Sequence, residues 1–361
     1  MSNDAPDADV LPNSPMREIS FRHSRNLPML LEQLQSSLLV STYQAGKVAV
    51  LAGQQGKLTL SFHNFDRPMG LAIGSGQIAV GARNQIWYLN SAPEIARKLE
   101  PEGRFDACFL ARRSHVTGEI QCHELAFVGE ELWVVNTLFS CLCTLSPKFN
   151  FVPRWLPSFI SGLAAEDRCH LNGLAIADGQ PKYVTAMAEA DTAAGWRPNK
   201  IETGCLIDVA ANQTVARGFA MPHSPRVHAG RVWVLDSGRG QLVHVDSRAG
   251  KWEQVAAVPG YARGLALLGD YAFVGLSKIR ETATFGGVPI AERRDELRCG
   301  IGVIELSSGR TISTFEFTAG IDEIFDVSIL AGARCPALNG PYAAEDGQHA
   351  IWVVPEPPPA K

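Results

Sequence analysis

The chain has 361 residues, 46% hydrophobic and 19% charged, with a formal net charge of -4. That composition supplies a large soluble core, and a mild acidity with no Lys/Arg run excludes nucleic acid and membrane as expected partners. No stretch reaches the roughly 18 uninterrupted apolar residues that a membrane helix needs.

The chain opens on MSNDAPDADVLPNSP, which is acidic and proline-rich and lacks the basic-then-apolar build of a secretory signal. A disordered tail is expected over residues 1–20, and a folded ring over 21–355. The eight cysteines are scattered, so they are expected to be reduced and mostly buried in a cytoplasmic protein. The pair in CLC at Cys141–Cys143 shares one face of a strand and reads as core, since no second pair offers zinc spacing.

A helix is expected only at LPMLLEQLQ, outside the ring. LLVSTYQAGKVAVLA, from Leu38, then reads as two strands of a unit that lacks its first. Beyond it one unit recurs: an apolar strand, a turn, a second strand, a small-residue turn and a third strand. The first strands are RPMGLAI, HELAFV, HLNGLAI, HSPRVH and ARGLALL, with a sixth, EIFDVSIL, near the C-terminus. Second strands such as ELWVVN and RVWVLD follow, with Gly, Asn, Asp and Ser in the turns, as hairpins require.

Repeats of roughly 40 to 55 residues built from hairpins predict a β-propeller. The fold class is therefore all-β: a six-bladed propeller with long loop insertions on one face. EIFDVSIL is expected to complete the N-terminal blade and close the ring by pairing near Leu38–Thr42. A β-sandwich does not explain the regular repeat.

The repeat also carries chemistry. HELAFVGEELWVVNT and HSPRVHAGRVWVLDS align, each opening on a histidine, His123 and His223. A propeller's first strands line its channel, so both histidines fall at the channel mouth. His170 lies two residues before the aligned position, and strand alternation still lets it face the channel. Met69 and Arg263 occupy the aligned position in other blades. Three imidazoles converging there would form a metal site with an open position, for zinc, iron or copper. His23, His63, His115, His228, His244 and His349 lack that placement.

Long connections precede the His123 strand and separate strands two and three in the blades of His170 and Arg263. They are expected on the same face, bringing Arg112, Arg113, Trp196, Arg197, Lys200, Lys278, Arg280 and Arg293 to a cationic rim. The expected substrate is an anionic small molecule or peptide. Arg263 would hold its carboxylate, and Tyr43 and Glu323 would serve proton transfer. Arg226 and Asn172 would support the histidine ligands, with Lys278 and Trp196 lining the substrate.

The motifs NTLFSCLCTL, PRWLPSFISGL, EDRCHLNGLA, MPHSPR, FGGVPIAER and EIFDVSIL…GARCPALNG carry a resemblance to an uncharacterised bacterial family, a domain of unknown function. It spans Leu38 to Gly340, and its pattern has aspartate where this chain has Glu124. The resemblance implies the propeller fold and no particular activity. In fold the chain is also similar to the peptide-amidating lyase, whose three channel histidines bind zinc. Two readings follow from the sequence: a metal-dependent lyase, hydrolase or oxygenase, or a rigid disc that binds a protein or peptide.

Overall fold

The computed structural model describes residues 18–279 and 287–357. Its strands group into six sheets, each built on four antiparallel strands and arranged as blades. Blade 1 comprises Ser36–Thr42, Lys47–Gln54, Lys57–Asn64 and, as its inner strand, Asp326–Ala331. Blade 2 runs from Leu71–Gly74 through Gln77–Gly81 and Gln85–Ser91 to Ala107–Val116. Blade 3 holds Cys122–Val128, Glu131–Asn136, Cys141–Ser146 and Phe149–Trp155. Blade 4 holds Leu171–Ala177, Gln180–Ala186, Gly204–Asp208 and Gln213–Phe219. Blade 5 holds Pro222–His228, Arg231–Asp236, Gln241–Asp246 and Lys251–Ala257. Blade 6 holds Tyr261–Leu268, Tyr271–Ser277, Cys299–Glu305 and Arg310–Ala319.

The hairpins follow from local chemistry. Asp178–Gly179 and Ala229–Gly230 each pair two positive φ angles (51° and 69°, 49° and 73°), the turn whose twist matches flanking strands. Second strands such as Arg231–Asp236 bury Val232, Trp233, Val234 and Leu235, because each is covered by a neighbouring blade on both faces. The inner strands contact one another around a closed circle. They approach so tightly that a Cβ on Gly173 would lie 2.3 Å from Pro225 Cδ.

Ring closure occurs where the incomplete first unit demands it. Leu38 pairs with Ile329 and Ser41 with Asp326, so the C-terminal strand becomes the inner strand of the N-terminal blade. Two blades also carry a fifth, outer strand absent from the sequence expectation. Ser20–His23 pairs with Arg310–Ala319 on blade 6, and Pro336–Asn339 runs parallel to Ala107–Val116 on blade 2. Ser20 is therefore already in a strand, at the last position of the expected tail; residues 1–17 lie outside the described residues.

Leu27–Gln33 forms the expected helix and buries Leu27, Leu30 and Leu31 against blades 1 and 6. No helix among the described residues is long and apolar enough to cross a membrane. All eight cysteines are buried and free.

Candidate functional site

The first strands of blades 3, 4 and 5 begin beside the channel, and each brings one histidine to its mouth. His123 Nδ1 lies 3.1 Å from the Gln121 carbonyl and 2.9 Å from Thr137 Oγ1. A carbonyl only accepts, so Nδ1 carries the proton. Thr137 in turn donates to the Leu171 carbonyl of blade 4, at 2.5 Å. His223 repeats the arrangement: Nδ1 lies 3.0 Å from the Met221 carbonyl and 3.0 Å from Ser237 Oγ.

His170 is held differently, by both carboxylate oxygens of Asp167 at 2.9 Å. Trp196 Nε1 donates to the same carboxylate at 3.0 Å, and its ring packs 4.4 Å from the imidazole. Gln121, Met221, Asp167 and His170 all sit at positive φ, between 46° and 55°. Non-glycine residues rarely hold that conformation, which concentrates where surrounding structure fixes a functional group. Among the described residues nothing bonds to Nε2 of any of the three histidines.

Around them lies an aromatic and cationic wall. His123 meets His170 edge-on with centroids 4.8 Å apart, and Phe325 lies 5.2 Å from His123. Arg263 stacks its guanidinium 3.3 Å over Phe325, whose ring is 5.6 Å from Tyr43. Arg263 is 9% exposed, and its side chain makes no hydrogen bond among the described residues. Its nearest counter-charge, Glu323 Oε1, is 3.8 Å away. Tyr261 faces His223 edge-on at 5.7 Å.

Burial pushes the His123 imidazolium well below its usual range, with the charges of His170 and Arg263 adding to the effect. Burial does the same to His223, followed by Arg263 and His170. Both rings are therefore neutral near pH 7, each with a lone pair on Nε2.

Neutral imidazoles anchored through Nδ1 are the form that ligates transition metals. Two imidazoles on one tetrahedral ion have centroids roughly 5 Å apart, which the His123–His170 pair matches. The full set does not reach ligand spacing: among the described residues, no three His, Cys, Asp or Glu side chains are arranged to hold an ion.

Other expected site residues lie elsewhere. Asn172 is buried and accepts from Thr185 Oγ1 at 2.6 Å, away from the histidine anchors. Lys278 pairs with Asp322 at 3.0 Å on the exposed rim. Arg112 and Arg113 belong to the outer strand of blade 2, where Arg113 stacks 3.8 Å over Tyr88, so they do not reach the mouth. The connection before His123 contains this ten-residue strand, which completes the fourth position of blade 2, rather than being a loop throughout. Arg280 lies outside the described residues. Thr137, Ser237 and Asp167, which the sequence expectation omitted, anchor the histidines instead.

Arg226 belongs to a charged girdle deeper in the channel. It contacts Glu124, donates through Nε to the Leu265 carbonyl at 2.8 Å, and feels the field of Asp326. Glu124 accepts from the Leu174 amide at 3.2 Å and Asp326 from the Leu71 amide at 2.8 Å. These charges satisfy edge groups of inner strands that face the channel without a ladder partner. Burial pushes Glu124 up to about 7 and Asp326 up to about 6, with Arg226 opposing both shifts. Beyond the girdle a cavity of about 250 Å³ is lined by Arg226, Leu267, Ile329 and Ile73.

The chain is a six-bladed β-propeller with neutral histidines and a buried arginine at one mouth. The chain belongs to the family of the domain of unknown function DUF4915, whose sequence profile matches residues 25–338. No protein of curated function matches the sequence. Among solved structures, a chain of a nidogen–laminin complex superposes with a TM-score of 0.53 at 10% identity. It covers 82% of this chain and 99% of that one, a likeness of fold alone.

Proposed function

We propose that the channel mouth is the active site of a metal-dependent enzyme for a small molecule or peptide bearing a carboxylate. The observation that carries this reading is Arg263: a guanidinium nine-tenths buried, facing the mouth, with no hydrogen-bond acceptor among the described residues. Such donors are satisfied by an oxyanion, and a carboxylate matches their fork.

His123 and His170 would hold a divalent zinc, iron or copper ion through Nε2, and His223 would complete the set only by closing on that ion. When bound, the ion supplies Lewis-acid activation of a substrate oxygen, or of O₂ if it is iron or copper. The chain's own groups do the rest. Thr137, Ser237 and Asp167 fix the imidazole orientation, Arg263 orients the anionic end, and Phe325 and Trp196 exclude water. Tyr43, beside Phe325, and Glu323, beside Arg263, would exchange protons with a bound substrate.

Untagged protein dialysed against Zn²⁺ in acetate buffer should retain about one ion per chain, and His123→Ala should lose it. Asp167→Asn should weaken the ion about 10–100-fold while leaving thermal stability near that of the parent, as expected for a group that acts through His170. Metal retention unchanged by His123→Ala sinks the reading.

The lack of three-ligand spacing among the described residues favours one alternative, a metal-free pocket that binds the anion directly. Calorimetry showing carboxylate binding that requires Arg263 and is unaffected by chelators would select it.

A further inference from the structure

Outside the channel, Ser61 and His63 stand two residues apart on one face of Lys57–Asn64, the outer strand of blade 1. Ser61 Oγ lies 3.1 Å from His63 Nε2. Asp346 meets the other side of the ring, with Oδ2 3.7 Å from Nδ1. A turn over Tyr342–Gly347 delivers it, and its Oδ1 accepts from the Asn64 amide at 2.7 Å and from Asn64 Nδ2 at 2.6 Å. The His63 and Asp346 side chains are each 1% exposed, yet Nδ1 and Oδ2 have no hydrogen-bond partner among the described residues. Leaving both buried and unbonded is costly for groups that only pin a chain end, and a shift of roughly half an ångström would join them.

A hydroxyl on Nε2 and a carboxylate beside Nδ1 is the arrangement in which an imidazole takes a proton from serine. Ser61 and His63 also line a cavity of about 120 Å³, together with Arg104, Phe105, Cys335 and Gln348. One water needs only roughly 10–15 Å³, so the cavity has room for a small ligand. Among the described residues Lys57–Asn64 is the free edge of its sheet, and the Asn64 amide points off that edge to Asp346. Alternation turns the amide of Phe62, directly after Ser61, the same way.

We propose that Ser61, His63 and Asp346 form an active site of their own, which hydrolyses esters of short acyl chains without a metal. It owes nothing to the channel mouth, so neither reading depends on the other. Ser61 Oγ bonds to the acyl carbon while its proton passes to His63 Nε2. The acyl carbon–oxygen bond then breaks, and the alcohol leaves with that proton. Water attacks the acylated serine, gives one proton to Nε2 and releases the acid, and Ser61 recovers its hydrogen from His63. The Phe62 amide and the Arg104 guanidinium receive the negative charge on the carbonyl oxygen. Asp346 is a positioning residue that keeps the imidazole proton on Nδ1.

The test is hydrolysis of p-nitrophenyl acetate by the full chain, with thermal melts as a check on folding. The parent should exceed Ser61→Ala and His63→Gln by about 100-fold or more, with or without EDTA. A fluorophosphonate should label the parent at Ser61, read by peptide mass spectrometry. In Asp346→Asn the side-chain oxygen keeps both Asn64 bonds, while its NH₂ group faces Nδ1 and shifts the imidazole proton to Nε2. Its kcat should therefore fall about 100-fold or more, with KM and melting temperature unchanged, which a purely structural role would not produce. A parent no faster than Ser61→Ala overturns the inference, as does a label on another residue. Undiminished kcat in Asp346→Asn overturns the three-residue assignment.

Discussion

Ending the chain after Asp322 should abolish soluble protein. The deletion removes Asp326–Ala331, the inner strand of blade 1, and Pro336–Asn339 on blade 2. Ile324, Phe325, Val327, Leu330 and Leu338 leave the core with it, all under a tenth exposed. The strand Ser36–Thr42, buried along its whole length, becomes an open edge of unpaired amides and carbonyls. Such an edge is a template for aggregation. Each lost Leu, Ile or Phe side chain withdraws about 1.5–3 kcal/mol of burial, so the loss exceeds the 5–15 kcal/mol that usually holds a domain together. Expression of the truncated chain, followed by sedimentation of the lysate, reads the result. A soluble, monomeric product with a cooperative melt would mean that the closing strand is dispensable.

That closure was legible because a missing element leaves a signature. Two strands from Leu38 without a first, and a lone first strand from Glu323, can satisfy each other only in a ring. The inner strands were legible for the same reason, through a repeated hydrophobic pattern. The outer strands were not. Ala107–Val116 carries Arg112, Arg113 and His115 on an exposed blade edge, and that polarity reads as loop. Ser20–His23 is too short and too exposed to stand out from the tail before it.

The site divides along a similar line. His123 and His223 were legible because the repeat sets them in register, and the same register sets Thr137 and Ser237 fourteen residues on. Those hydroxyls end the two aligned stretches and were within reach of the same comparison. Asp167 was harder: it reaches His170 only because both residues adopt left-handed backbone angles, φ 46° and 50°, which no spacing rule foresees. Arg226 and Asn172 bond to groups other than the histidines, because strand position alone does not say how deep in the channel a side chain ends. Arg226 reaches across to Glu124 on blade 3, two blades away from its own.

Replacing Arg226 with Ala should destabilise the protein by about 3–5 kcal/mol at pH 8, because it strands two buried carboxylates, Glu124 and Asp326. The loss should shrink toward pH 5. In the folded parent both carboxyls already sit above their ordinary values, Glu124 at about 7 and Asp326 at about 6, since burial outweighs Arg226. A raised carboxyl favours folding while protonated and loses that contribution as pH rises through its folded value. Without Arg226 the opposing influence disappears, both carboxyls rise further, and the penalty of ionising them is confined to higher pH. His123 and His223 act in the other direction: held low by burial, they weaken the fold as pH falls below about 6.5, in parent and variant alike. The difference between the two proteins therefore isolates the girdle. Urea unfolding at pH 5 and pH 8 measures it, with Glu124→Gln added to Arg226→Ala expected to recover much of the stability lost at pH 8. An equal loss at both pH values, with no recovery in the double variant, would show that Arg226 acts through packing and not through these two charges.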